Sequence, residues 1–210
     1  MRRRNIRPNT RSFTGRHVGT PGSPAVRFES GLERDLLTLL RFRTDVVEIV
    51  EQPFTVEFTD AAGRPRSYTP DFKVIFTHQT SIYEVKFRKD LRAKWDTYRE
   101  PYLYLRQWAR QRGWFFRVMT EGAIRTVRFH NADMLLPHRA REPHPEMARR
   151  ITAQLAHGPL SILQLLTTTC PDNTDRAAFY AALWPMLAKG MVVADFDRPL
   201  GMSMAVELPR

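Results

Sequence analysis

The residues able to do chemistry sit close together in the first half of the chain. Pro70-Asp71 is followed, after twelve residues, by Glu84-Val85-Lys86. Between them lie an apolar-rich run, Phe72-Lys73-Val74-Ile75-Phe76, a polar bend over 77–81, and Ile82-Tyr83. Two such runs around a short polar bend predict a β-hairpin. Side chains alternate along a strand, so Glu84 and Lys86 share one face while Tyr83, Val85 and Phe87 take the other, core-facing one. A carboxylate and an ammonium are thereby expected beside the strand that carries Asp71. Two close carboxylates repel unless a cation or a proton lies between them. Mg2+ suits such a place, because it takes oxygen ligands, often one or two carboxylates completed by water and phosphate. Lys86 is then placed to orient or help deprotonate a water, or to offset charge on a scissile phosphate. The chemistry implied is hydrolysis of a phosphodiester. The bland alternative is an exposed hairpin carrying a surface ion pair.

The elements around this pair must position it. Ser30-Gly31-Leu32-Glu33 has the Ser-x-x-Glu spacing of a capping box, which predicts a helix from Ser30 to about Arg43. Leu36, Leu37 and Leu40 follow Glu33 at helical spacing, so Glu33 sits on or beside the buried face. Glu33 therefore caps its own helix, supplies a third carboxylate to the site, or does both. Val46 to Val50 and Phe54 to Phe58 read as strands, Asp60-Ala61-Ala62-Gly63 as a turn, and Arg66 to Phe76 as an antiparallel return carrying Asp71. A helix is expected from about Asp90 to Arg112, with Pro101 as a possible kink and Gly113 as its stop. Its outer face holds Arg92, Lys94, Arg99, Arg106 and Arg110. A strand over 114–119 and a shorter one around 124–129 complete a compact α/β unit.

Composition narrows the class. The 210 residues suffice for one large domain or two small ones. No run reaches the roughly 18 apolar residues of a membrane span, so no membrane partner is expected. A single cysteine, Cys170, fits a reducing cytoplasm, and the scattered histidines argue against zinc. The net charge is +11, of which residues 1–28 supply seven arginines and no acid. Residues 1–27 are also rich in Gly and Pro, which predicts a disordered basic arm. Arg2, Arg3, Arg4, Arg7, Arg11 and Arg16 are the candidate DNA contacts, following phosphates without reading sequence.

The wording of several segments resembles a known family. Glu33 on a first helix, Pro70-Asp71 and Glu84-Val85-Lys86 look like the PD-(D/E)xK nuclease superfamily. More narrowly, Phe28-Glu29-Ser30-Gly31-Leu32-Glu33, Glu51-Gln52-Pro53, Tyr68-Thr69-Pro70-Asp71-Phe72 and Tyr83-Glu84-Val85-Lys86 are similar to TnsA, the endonuclease subunit of heteromeric TnsA/TnsB transposases. The likeness covers roughly residues 28–136. It implies a restriction-endonuclease-like core that cuts the 5′ ends of a mobile element in double-stranded DNA. Carried over by position, Glu33, Asp71 and Glu84 are metal carboxylates, the Val85 backbone carbonyl is a further ligand, and Lys86 is the active-site lysine. Glu29 is a rival to Glu33. The implied cofactor is Mg2+, with Mn2+ able to substitute. The implied partners are a TnsB-like recombinase and a TnsC-like ATPase.

Beyond the nuclease, residues 137–145 read as a Pro-rich linker. Residues 146–210 then give three short helices and a hairpin, a winged-helix-like pattern. That segment carries six bases and six acids. Sequence-reading domains are normally basic, so protein docking is the favoured role. The competing function classes are an autonomous PD-(D/E)xK nuclease of the resolvase or restriction type, and a catalytically dead DNA-binding adaptor.

Overall fold

The computed structural model of the chain describes residues 15–17, 25–172 and 174–209. They fall into two compact units, the described residues up to 37 with 45–124, and residues 38–44 with the described residues from 125 onward. Of the candidate DNA-contacting arginines, Arg2, Arg3, Arg4, Arg7 and Arg11 lie outside the described residues.

The first unit opens with an antiparallel pair, β1 (Gly15–His17) and β2 (Val26–Phe28). Arg16 belongs to β1. Over these residues the expectation of a disordered arm is corrected, because Val26 and Phe28 alternate inward and are buried. Gly15 is needed for the approach: a Cβ there would lie 2.6 Å from the Phe28 ring. Helix α1 (Gly31–Phe42) follows. Glu33 N–H donates to Ser30 Oγ at 3.2 Å, and the Glu33 carboxylate accepts from Ser30 Oγ at 2.9 Å and from Glu29 N–H at 2.8 Å. These bonds satisfy donors that a helix start leaves free. Leu32, Leu36 and Leu37 then bury the inner face.

Next come β3 (Val46–Glu51), β4 (Val56–Thr59), β5 (Pro65–Tyr68), β6 (Phe72–Phe76) and β7 (Thr80–Val85). After them lie α2 (Arg88–Ala93), α3 (Trp95–Arg110), β8 (Phe115–Met119) and α4 (Glu121–Ile124). The main sheet has the order β3-β6-β7-β8, while β4 and β5 form a separate two-stranded ribbon. The single strand expected over 66–76 is thus two strands. The break falls at Thr69-Pro70-Asp71, where Pro70 has no N–H to give a ladder. The expected helix over 90–112 is likewise two helices, parted at Lys94, whose φ of −120° and ψ of 24° leave the helical region. Pro101 lies inside α3. The strand expected over 114–119 is β8; it runs parallel to β7, with α2 and α3 as the crossover such a pair requires.

The second unit holds α5 (Val127–Leu135), a 3-10 turn at Leu136–His138, α6 (Pro145–Leu155), β9 (Leu160–Ser161), α7 (Ile162–Thr169), α8 (Arg176–Lys189), β10 (Val193–Ala194) and β11 (Ala205–Glu207). The strand expected around 124–129 is instead the end of α4 and the start of α5, with Phe129, Ala132 and Leu135 buried at helical spacing. The stretch 137–145, expected as a linker, is folded. Arg139 there donates to the carbonyls of Arg41, Phe42 (3.0 Å) and Ala188 (2.8 Å). Ser161 and Gln164 close a reciprocal capping box on α7. Gly190, at φ 73°, ends α8 in the left-handed conformation that favours glycine. Ile151, Ile162, Leu165, Phe179, Leu183 and Val206 form the centre of this unit's core. The three short strands pair in the order β10-β11-β9.

Candidate active site

Register brings the acidic residues together. Phe72 of β6 faces Tyr83 of β7, so Asp71, one residue earlier, meets the end of β7. There Val85 N–H donates to Asp71 Oδ2 at 2.7 Å. Glu84 points its Oε1 at two donors: the Tyr68 hydroxyl at 2.7 Å and Lys86 Nζ, in a short contact. Its Oε2 is buried without a hydrogen-bond partner. Lys86 Nζ also lies 3.1 Å from the Val85 carbonyl, 3.7 Å from Asp71 Oδ2 and 5.9 Å from the centre of the Tyr98 ring. The site is therefore a compact triad of Asp71, Glu84 and Lys86 at the end of the hairpin.

Glu84 does not sit on an open face, as strand alternation alone suggests. Its 1% exposure matches that of its neighbours, because Ser81 to Val85 are buried on both faces of a central strand. The cover over Glu84 is aromatic. Tyr68 and Tyr102 meet edge to face at 5.9 Å, and Tyr102 stacks on Tyr98 at 5.5 Å. Tyr98 and Tyr102 come from α3, Tyr68 from β5. In the sequence Tyr68 stands out only as part of the Tyr68-Thr69-Pro70-Asp71-Phe72 motif, and Tyr98 and Tyr102 only as part of a helix's apolar face. The signal available was Tyr68 lying two residues before Pro70, near enough to reach whatever Asp71 reaches.

The electrostatics follow from burial. Desolvation, then the nearby Asp71 charge, pushes the Glu84 carboxyl up to about 7, against the opposing pull of Lys86. Glu33 is likewise raised to about 7 by burial and by Asp71, despite its two local donors. Burial also raises Asp71, although Lys86 and the Val85 N–H work the other way. For Lys86 burial disfavours the charge, but Asp71 and Glu84 outweigh it and hold the ammonium above its usual value. The Tyr68 phenol is raised by burial and by the Glu84 charge, so it stays a neutral donor. Acids whose ordinary ionisation is suppressed by burial and by a neighbouring carboxylate accept either protons or a cation.

Whether a divalent ion suits these residues is testable on the site itself. Among the described residues no group of three or more His, Cys, Asp or Glu side chains is drawn together as a metal cage. Mg2+ does not need one, since one or two carboxylates with water and phosphate suffice. The ligating atoms here are hard oxygens, burial and the Asp71 charge both raise Glu84, and Glu84 Oε2 has no hydrogen-bond donor among the described residues. The residues fit. Glu33 is electrostatically linked to Asp71 while both its oxygens accept from its own helix start. The Val85 carbonyl accepts from Lys86 Nζ.

An aspartate entering one strand and a Glu-x-Lys on its antiparallel neighbour, in a mixed four-stranded sheet, bring the residues of the PD-(D/E)xK pattern side by side. Residues 43–121 match the family model described as TnsA-like endonuclease N terminal, so this portion of the chain is similar to TnsA-like nucleases of that superfamily. The matched span contains Asp71, Glu84 and Lys86; Glu29 and Glu33 precede it. No curated protein matches the chain. No helix among the described residues is long and apolar enough to cross a membrane.

Proposed function

We propose that the chain is the metal-dependent DNA endonuclease subunit of a heteromeric transposase, cutting the 5′ strands at the ends of a mobile element. The observation that carries this reading is the convergence of Asp71, Glu84 and Lys86 at one strand end within a TnsA-like domain. Asp71 and Glu84 would hold Mg2+, or Mn2+ in its place, with Glu33 as the third carboxylate and the Val85 carbonyl as a further oxygen. When bound, the ion supplies positive charge against the scissile phosphate and the attacking water. Asp71 is kept in place by the Val85 N–H, and Glu84 by the Tyr68 hydroxyl, so neither carboxylate needs to reorganise before reaction. Lys86 presents a point charge to the water or to the phosphate oxygens as negative charge grows there.

Residues 145–210 have the order helix, strand, two helices, then two strands, which supports a winged-helix-like domain. Its residues 145–210 balance six bases against six acids, so its role is to dock a protein rather than to read DNA. The basic residues of the N-terminal arm, Arg2, Arg3, Arg4, Arg7, Arg11 and Arg16, contact DNA phosphates without selecting sequence. Selection of the element end then comes from a TnsB-like recombinase, with a TnsC-like ATPase joining both to the target, all in the cytosol.

The test is reconstitution. Purified chain with its cognate recombinase, end DNA and Mg2+ is expected to cut the 5′ strands, and Asp71→Ala is expected to abolish cutting while folding and DNA binding persist. Wild-type cutting by Asp71→Ala would refute the assignment. Robust sequence-specific cutting by the isolated chain would instead establish an autonomous nuclease.

A further inference from the structure

Gln52 is the one residue other than glycine with a positive φ among the described residues, at 40°. Left-handed backbone is costly for a residue with a Cβ, and glycine would adopt it without that cost. Pro53 follows, and a residue before proline is further restricted. Such strain persists only where surrounding bonds hold it, and it gathers at functional sites. Two bonds hold Gln52. Its N–H donates to the Asp71 carbonyl at 2.8 Å, continuing the β3–β6 ladder one step past the Glu51–Phe72 pair. Its side-chain Nε2 donates to Glu29 Oε1 at 2.8 Å.

The backbone bond alone does not call for glutamine, since glycine makes it equally well. The strain is therefore tied to the side chain, and the side chain is spent on Glu29. Glu29 stands one residue before Ser30, at the mouth of α1. The carboxylate of Glu33 is already engaged by Ser30 and by the Glu29 backbone. The Glu29 charge is felt at both Asp71 and Glu33, adding to the burial that raises them. Glu29 is thus a further acid beside the cleavage site, with its Oε1 held by the Gln52 amide.

We infer that Gln52 is a positioning residue of the nuclease site, its strained backbone aiming the side-chain amide so that Glu29 is presented beside Asp71 as an additional oxygen donor for a divalent cation. The inference rests on the metal-dependent reading above. It is tested by Mn2+ titration of the full-length chain in a calorimeter, with thermal unfolding of the same samples in EDTA. Gln52→Gly relieves the strain while deleting the amide. It is expected to raise the unfolding midpoint by about 2–4 °C and to weaken Mn2+ binding about tenfold. Glu29→Gln is expected to weaken Mn2+ to a similar degree, and the double variant to be no worse than either single one.

Mn2+ affinity unchanged in Gln52→Gly overturns the inference. A fall in the unfolding midpoint alongside weaker Mn2+ binding also overturns it, by making Gln52 a structural residue only. Asp71→Ala separates the two levels. Lost Mn2+ binding in Asp71→Ala with wild-type binding in Gln52→Gly refutes the role of Gln52 alone. Wild-type binding in Asp71→Ala refutes the metal reading and this inference with it.

Discussion

Replacing Lys86 by methionine, which keeps the volume and removes the charge, should make stability depend on pH in a defined way. Lys86 Nζ is the cation against Glu84, whose side chain is 1% exposed, and the lysine side chain itself is 23% exposed. In the wild type the Glu84 carboxyl titrates at about 7 rather than at its ordinary 4.5. A carboxyl raised in the folded state binds protons more tightly there than in the unfolded chain. It therefore favours folding at low pH, and that advantage is lost as pH rises from the unfolded value to the folded one. Without Lys86 the folded value climbs further, so the variant goes on losing stability above pH 7, where the wild type has levelled off. Each pH unit of that window is worth about 1.4 kcal/mol, so the variant should lie about 2 kcal/mol below the wild type at pH 8.5. At pH 6, where both carboxyls are protonated, this contribution vanishes. Asp71, which Lys86 also pulls down, adds in the same direction. The assay is thermal unfolding in EDTA at pH 6 and pH 8.5. The midpoint gap should widen by about 4–8 °C between them, at about 2–4 °C per kcal/mol for a chain of this size. A gap that is the same at both pH values would refute the reasoning and reduce Lys86 to half of an ordinary surface pair, worth at most about 1 kcal/mol.

Two further outcomes are expected. Tyr68→Phe removes the 2.7 Å donor to Glu84 while keeping the edge contact with Tyr102; it should cost about 1–3 kcal/mol in urea unfolding at pH 8, and a cost indistinguishable from zero would show that the hydroxyl does not support the carboxylate. Asp60, which accepts from the backbone of Arg64 and Ala62 and from the side chains of Arg64 and Arg66, titrates at about 2, so its support of the β4–β5 ribbon is complete above about pH 4 and is lost as pH falls through 2. Amide-exchange protection of residues 56–68 should accordingly be lower in Asp60→Asn than in wild type at pH 6, and the difference should shrink below pH 3; equal protection at pH 6 would remove Asp60 from this role.

What could be read from the chain was what depends on nearest neighbours. Ser30 and Glu33 advertise a helix start because the bonds they make are three residues long, and the hairpin that joins Asp71 to Glu84 closes over a short polar bend. What could not be read depends on partners far away in sequence. Alternation put Glu84 on an open face; burial came from β8 and from the tyrosines of α3, neither of which its own strand specifies. The 66–76 run looked like one strand because Tyr68 and Thr69 before Pro70, like Phe72, Val74 and Ile75 after it, are residues that suit a strand. The two halves found different partners on either side of Pro70. Gln52 carries no compositional mark of a positive φ, since glutamine is not a residue that favours it.

The parallel pairing of β7 with β8 sets an order of assembly. The β6–β7 hairpin is local, and closing it costs little chain entropy. Ser81 meets Phe115, by contrast, only after the whole α2–α3 crossover has been laid down, a separation of 34 positions. Lys86 N–H donates to the Met119 carbonyl at 3.0 Å, so the backbone that anchors the lysine is tied down in the second, slower event. Asp71 and Glu84 are thus neighbours early, while the cation between them gains its fixed place late. On the ribosome, a chain that has emerged no further than α2 holds the two acids without an anchored lysine. Coupling the final pairing of the sheet to the completion of the site is one way for a DNA-cutting domain to remain inert until it is fully made.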